Sequence, residues 1–494
     1  MRDQQTFTDC QFGVESGRFD DSGRRFEMAF VFEGRLKHAA GEHKTGVKAK
    51  QNIEWIQDSD GIWYVARWEQ LRLELVRAEK VLFEDVTSAV IPDVETRTTA
   101  QRATHEELIG TRIKNGNIML PVSEEFPYLD DWESGYQYPS VSVVDFDRDG
   151  DDDLFLTDRG TPGMMLRNDD GKFVDVTAEI GLEVPELTNC SFFADFDNDG
   201  DPDLLAGRSL GDSMYFINEN GKFRHDESMD SELEYVRFVV SGCVFDINND
   251  GLLDVYLSTY VSIGDVSAMD WIDKSIRPQD RLRVKLAGKK HPYVDRGGPG
   301  NIVLMNDGGK LKRVEVGDEL VQWRNTYQST SADWDGDGDQ DLYLCNDFSP
   351  DAFLRNDTPQ GSMEPKFTSV GDSIVENGEM GFGMGSSWGD YDNDGDLDLY
   401  VSNMYSKAGK RIIKLAGKVD ARSVAASRGN FLFQNNNGSF RQVAGFEQGD
   451  QHVAKVGWSF GGQFADFDND GHLDLYVPSG FFTAPKTVRS DEDL

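Results

Sequence analysis

Long apolar runs are missing from this 494-residue chain. No stretch approaches 18 consecutive apolar residues, so no membrane-crossing helix and no membrane insertion is expected. The first 30 residues are polar and mixed in charge, without the apolar core of a signal peptide. Cysteine is scarce. Cys10, Cys190, Cys243 and Cys345 show no framework spacing, which argues against a disulfide scaffold. Cys190 and Cys243 lie in apolar segments that precede acidic loops and are read as buried free thiols. Basic charge is in deficit: 50 Lys and Arg face 89 Asp and Glu, for a net charge of −39. A field of that sign repels nucleic acid and anionic membranes. Histidine is sparse and scattered, and no Gly-x-Ser-x-Gly, His-Glu-x-x-His or P-loop motif occurs. The sequence therefore gives no catalytic residue, and the expectation is a protein that is not an enzyme.

Aspartate and glycine are what the chain has in quantity. Six copies of Asp-x-Asp/Asn-x-Asp-Gly-x-x-Asp begin at Asp145, Asp195, Asp246, Asp333, Asp390 and Asp466, at intervals of 50, 51, 87, 57 and 76 residues. The pattern places side-chain oxygens at loop positions 1, 3, 5 and 9, a carbonyl at 7, and a Gly at 6 for a sharp turn. Such a loop cages a hard cation such as Ca2+. The candidate ligands of the first loop are Asp145, Asp147, Asp149, Asp151 and Asp153; of the second, Asp195, Asp197, Asp199, Asp201 and Asp203. The third is the variant, with Asp246, Asn248, Asp250, Leu252 and Asp254. The fourth has Asp333, Asp335, Asp337, Asp339 and Asp341, and the fifth Asp390, Asp392, Asp394, Asp396 and Asp398. The sixth has Asp466, Asp468, Asp470, His472 and Asp474. Position 7 contributes only its carbonyl, so the side chains of Leu252 and His472 are not ligands. The absence of sulfur and imidazole ligands argues against Zn2+, and the number of protein oxygens favours Ca2+ over Mg2+. About six structural Ca2+ ions are expected, because four clustered carboxylates repel unless a cation joins them.

No helix with an acidic position 12, as in an EF-hand, follows the loops. They run instead into short apolar segments such as Leu154-Phe155-Leu156, Val255-Tyr256-Leu257 and Leu399-Tyr400-Val401, which read as strands buried on both faces. Leu204-Leu205-Ala206 is the weakest of these. Most units continue with an apolar run, an Asn, a turn and a second apolar segment, as in Met165 to Phe173. That pattern is a β-hairpin. Loop, strand, hairpin and return strand recurring at about 50 residues predict an all-β fold, a β-propeller of four-stranded blades. Six blades carry loops. A seventh without a loop has room at 91–135, and Val81 to Thr87 reads as a return strand able to close the ring.

These units resemble the FG-GAP, or VCBS-type, repeats of β-propellers such as integrin α-subunit heads. Gly385 to Tyr400, and Phe173-Val174-Asp175-Val176-Thr177 leading to Gly181, look most like the ASPIC/UnbV, cartilage-acidic-protein-like group. The resemblance runs from about 83 to 494 and implies Ca2+ in each loop-bearing blade. The chain departs from that group in three ways. The segment Val294 to Gly300 has no Cys, the group's usual C-terminal domain is absent, and the last repeat stops before its hairpin.

Two domains are expected: a small antiparallel β domain over 1–80 and the propeller over 81–494, with insertions at about 260–300 and 404–430. In the first, Phe26 to Phe32 reads as a strand. Ile53 to Gln57 and Trp63 to Trp68 flank the turn Asp58-Ser59-Asp60-Gly61. It resembles the β half of SnoaL-like cone folds, with Trp55, Trp63 and Trp68 read as core. The insertions carry basic islands, Arg281 to His291 and Lys407 to Lys418, that either bind a partner or cover an acidic face. Calcium loops in such number fill where free Ca2+ is millimolar, so an extracellular, cell-envelope or periplasmic site is expected. The sequence favours a monomeric scaffold that binds protein or glycan. The alternatives are a propeller hydrolase or lyase with a funnel site, and a structural spacer.

Overall fold

The structure is a computed structural model. It describes residues 6–37, 44–78, 83–102, 140–158, 161–209, 211–261, 276–281, 297–376, 381, 383–403, 429–444, 452–457 and 459–478. The chain divides into two compact units, Met1–Ser88 and Ala89–Leu494.

The first unit is one antiparallel sheet of four consecutive strands: β1 (Thr6–Phe19), β2 (Arg25–Lys37), β3 (Lys44–Gln57) and β4 (Trp63–Ala78). The turn between β3 and β4 forms where expected. The Asp58 carboxylate accepts the N–H groups of Asp60 and Ile62, both at 2.9 Å. Gly61 takes a φ of +84°, which costs a glycine little. Two of the three tryptophans differ from the core reading: Trp55 is half-buried and stacks on Phe26, whereas Trp63 and Trp68, on β4, which pairs on one side alone among the described residues, are 39% and 63% exposed. Trp68 donates its Nε1–H to Gln51 at 2.7 Å. The return strand expected at Val81 to Thr87 is not formed among the described residues. Phe83 to Val86 lie outside any strand, and Thr87–Val90 is a short helix led by Asp85, which accepts the Thr87 N–H at 3.0 Å.

The second unit is a β-propeller, a succession of antiparallel meanders. The first blade comprises β5 (Ser140–Val144), β6 (Asp153–Asp158), β7 (Thr161–Asp169) and β8 (Lys172–Asp175). The second comprises β9 (Thr188–Ala194), β10 (Asp203–Arg208), β11 (Met214–Asn218) and β12 (Phe223–His225). The third comprises β13 (Val239–Phe245), β14 (Asp254–Thr259), β15 (Ile302–Asn306) and β16 (Leu311–Val314). The fourth comprises β17 (Asn325–Ala332), β18 (Asp341–Asp347), β19 (Ala352–Asn356) and β20 (Phe367–Ser369). In the fifth, β21 (Val375–Glu376) lies parallel to the outermost strand of a meander of β22 (Gly385–Gly389), β23 (Asp398–Ser402), β24 (Phe431–Asn436) and β25 (Ser439–Ala444). The sixth shows β26 (Gln463–Ala465) and β27 (Asp474–Tyr476). The space for a seventh blade falls mainly in 103–139, outside the described residues, as do both basic islands apart from Arg281.

The second strand of each complete blade is apolar on both sides because it is sandwiched between neighbouring blades. Phe155 and Leu204 share one interblade core, Leu205 and Leu257 the next, and Tyr256 and Leu342 the one after. Each fully buried side chain of this kind contributes roughly 1.5–3 kcal/mol. The weak-looking Leu204-Leu205-Ala206 is fully buried. The first strands pack side by side from β5 through β9, β13, β17 and β22 to β26. Small hydroxyl residues among them bond across the seams: Ser142 to Ser191 at 2.7 Å, Thr330 to Ser386 at 2.9 Å. Cys190, Cys243 and Cys345 are free thiols; Cys190 and Cys345 are buried and Cys243 is half-buried. Burial pushes the Cys243 thiol up to about 12.

Candidate metal centre

Each acidic loop joins the first strand of a blade to its second, so all six emerge at the same end of their sheets. Local bonding shapes them in closely similar ways. In five loops the carboxylate at position 1 accepts the N–H groups of positions 5 and 6, at 3.0 and 2.9 Å for Asp195 with Asp199 and Gly200; in the fourth, Asp333 accepts from Gly336 and Gly338, positions 4 and 6. The position-5 carboxylate accepts the N–H of position 7, at 2.9 Å for Asp199 with Asp201. The glycines at position 6 have φ between +86° and +98°. Position 4 is left-handed too, as in Asn198 (+58°) and Arg148 (+59°), which explains why Asn or Gly fills it in five loops.

The folding of the loop gathers the predicted ligands. Carboxylate oxygens of positions 1, 3 and 9 lie within 4.8 Å of one another in Asp145/Asp147/Asp153, Asp333/Asp335/Asp341, Asp390/Asp392/Asp398 and Asp466/Asp468/Asp474. In the second loop the group is Asp195/Asp197/Asp199. The third loop forms no three-carboxylate group among the described residues because Asn248 holds its position 3; its fold is otherwise the same, with Asp246 accepting from Asp250 and Gly251. The position-7 side chains point away from the groups. Asp201 forms an ion pair with Arg148 of the preceding loop at 2.8 Å, Asp339 accepts from Asn249, and His472 bonds Asn393 at 2.7 Å.

Position 9 is the buried corner of the first five loops; Asp474, in the sixth, is exposed. Asp153, Asp203, Asp254, Asp341 and Asp398 are at most 1% exposed. Asp254 accepts from the Ile247 N–H at 2.9 Å and from the Asn306 N–H. Burial pushes these acids up, to about 6 for Asp153, Asp203 and Asp398, about 7 for Asp254 and about 8 for Asp341; neighbouring loop carboxylates add to the rise. Asp147, Asp197 and Asp335 are raised for the same reasons. Asp147 Oδ1 is buried without a hydrogen-bond partner. A cation at the centre of each group would offset the repulsion, and in the first loop would supply that partner. The residues present fit a hard divalent ion, every donor being oxygen.

One set of residues escaped the motif search. An Asn at or next to the end of the third strand, in Asn168, Asn218, Asn306, Asn356 and Asn435, donates its backbone N–H to the position-9 carboxylate of its blade. In the sequence the same Asn is a hairpin signal, and it recurs before every described hairpin that joins a third strand to a fourth in the second unit.

The FG-GAP-like repeat model matches the chain at 145–206, 195–257, 333–401 and 417–477. No curated protein matches it. Among solved structures, BBS1N in complex with ARL6DN, soaked with lead, is 10% identical with a TM-score of 0.34, covering 69% of this chain and 74% of that one. A mutant of AofleA from Arthrobotrys oligospora is 10% identical with a TM-score of 0.25, covering 73% and 90%. Three of the four repeat matches begin on the acidic loops just described, at Asp145, Asp195 and Asp333, and the four-stranded sheets supply the blades: the chain carries FG-GAP-like repeats within a β-propeller.

Proposed function

We propose that this protein is a calcium-stabilised propeller scaffold that binds a protein or glycan partner outside the cytosol. The carrying observation is the repetition of one all-oxygen arrangement with a buried position-9 carboxylate in successive blades. Position 1, 3, 5 and 9 side chains and the position-7 carbonyl make a set suited to the larger coordination shell of Ca2+ rather than to Mg2+. A repeated site serves a scaffold, since a catalytic centre is built once. The role read here is therefore binding without catalysis. The stretch Gly385 to Tyr400 supports kinship with the ASPIC/UnbV-like group, and the calcium demand supports a Ca2+-rich compartment.

Partner binding is assigned to the ends of the sheets away from the metal loops. The two longest connections within the blades, 260–301 and 403–430, both join a second strand to a third and so leave from those ends. They carry basic residues on an acidic chain, which suits an acidic protein or glycan. Probing glycan and extracellular-protein arrays with the full chain, in Ca2+ and in chelator, tests this. Retention in Ca2+ that is lost on Lys→Gln substitution across 407–418 supports it. No retention on either array contradicts it.

A further inference from the structure

We infer that the Asn at or next to the end of the third strand is a positioning residue for two metal loops at once, that of its own blade and that of the blade before. The inference rests on the calcium reading above. Asn306 shows the geometry. Its Nδ2 donates to the carbonyl of Phe196 at 2.7 Å and to that of Leu253 at 3.2 Å. The Phe196 carbonyl belongs to the peptide that leads into Asp197, position 3 of the second loop. The Leu253 carbonyl belongs to the peptide that leads into Asp254, position 9 of the third loop. One amide thus fixes the peptide planes that aim two ligands of two different sites.

The remaining contacts reinforce both ends. The Asn306 backbone N–H bonds Asp254 itself, and its Oδ1 accepts the Gly309 N–H at 2.9 Å. Gly309 closes the hairpin directly against Asp197: a Cβ added there would sit 3.1 Å from the Asp197 Cβ. The side chain is fully buried with its donors and acceptor engaged. Neither a carboxylate, which cannot donate, nor a hydroxyl, with one donor, replaces it.

The arrangement repeats. Asn218 bonds the carbonyls of Phe146 and Pro202, at 2.9 and 3.1 Å. Asn356 bonds those of Ile247 and Gln340, at 2.9 and 3.2 Å. Asn435 bonds those of Trp334 and Leu397, at 2.9 and 3.1 Å. Asn168, in the first blade, bonds the Asp152 carbonyl of its own loop at 3.1 Å and no other loop among the described residues. Sites one to five are thereby joined in sequence.

Native mass spectrometry of the full chain across a Ca2+ titration counts the ions bound. Outer-shell partners of metal ligands typically carry 10–100-fold in affinity. Asn306→Ala should therefore weaken two sites by about tenfold or more, those of the second and third loops, while Asn168→Ala weakens one. Adding Asp197→Ala to Asn306→Ala should remove no third site. A residue that merely stabilised the fold would lower the melting temperature without a deficit of two ions. Loss of one ion or none in Asn306→Ala overturns the inference. Asn356→Ala is the second variant, with the deficit moved to the third and fourth loops, should the first not fold. A wild-type chain that binds no Ca2+ overturns the calcium reading and this inference together; a wild-type chain that fills normally beside an unaffected variant overturns the inference alone.

Discussion

At the scale of single residues, burial and charge decide the outcome. A carboxylate such as Asp341, shut away from water beside other carboxylates, keeps its charge when a cation shares it. Asp351 presents the same problem without a loop. It stands where the third and fifth blades have Asn301 and Asn430. Those amides donate to Tyr256 and Tyr400 at 2.9 and 2.7 Å, whereas Asp351 accepts from Tyr343 at 3.0 Å. Burial pushes Asp351 up to about 7, opposed by its bonds from Asn346 and Tyr343. The folded state therefore holds a proton that the unfolded state releases near pH 4, and this contribution to stability is lost as pH rises from about 4 to about 7. Asp351→Asn should raise the melting temperature at pH 8 and change it little at pH 4.5, with Ca2+ held constant. An equal effect at both pH values would contradict this. Gly338 isolates backbone strain: its φ is +98° and nothing lies within 4 Å of an added Cβ. Gly338→Ala should cost about 1–2 kcal/mol in denaturant unfolding through conformation alone. A neutral result would show that the fourth loop can relax.

At the scale of elements, the blades were legible where the signal is local. The 1-3-5-9 register, the position-6 glycine and the apolar strand after each loop are contiguous in sequence, and the structure forms the strands from them. Hairpins begin their return strands at Phe223, Leu311 and Phe367 as read. What could not be read joins distant residues. Asn306 meets Phe196 across 110 positions, and no periodicity announces such a bond. Trp63 and Trp68 look like core by type, yet exposure depends on β4 being an edge, which the sequence does not state. Val81 to Thr87 copies the composition of a return strand, yet its described residues, from Phe83, pair with no strand among the described residues, and Asp85 instead starts a helical turn. Because each blade packs on its neighbours, stability is largely nearest-neighbour. Asp197→Ala should accordingly speed amide hydrogen exchange in β9 to β16 and leave β22 to β25 unchanged. Uniform acceleration through all blades would contradict the nearest-neighbour account.

At the scale of the whole molecule, charge is the governing quantity. A net charge of −39 strains any compact state through self-repulsion. Without divalent ions, stability should rise as NaCl is raised from about 0.01 to about 0.15 M, since the screening length falls from roughly 30 to 8 Å and the self-repulsion weakens. With Ca2+ bound, that dependence should flatten; an unchanged salt slope would mean that the ions do not sit among the loop carboxylates. The calcium clamp is the central claim, and thermal unfolding tests it most directly: first in excess chelator, then across a titration of Ca2+ and, in parallel, of Mg2+. Binding to the folded state stabilises it by mass action, by about 2.7 kcal/mol per site at a hundredfold excess over the dissociation constant. The account predicts a large rise in melting temperature with Ca2+ that Mg2+ does not match. A melting temperature that ignores Ca2+ would contradict it, leaving a propeller held together without its metal loops.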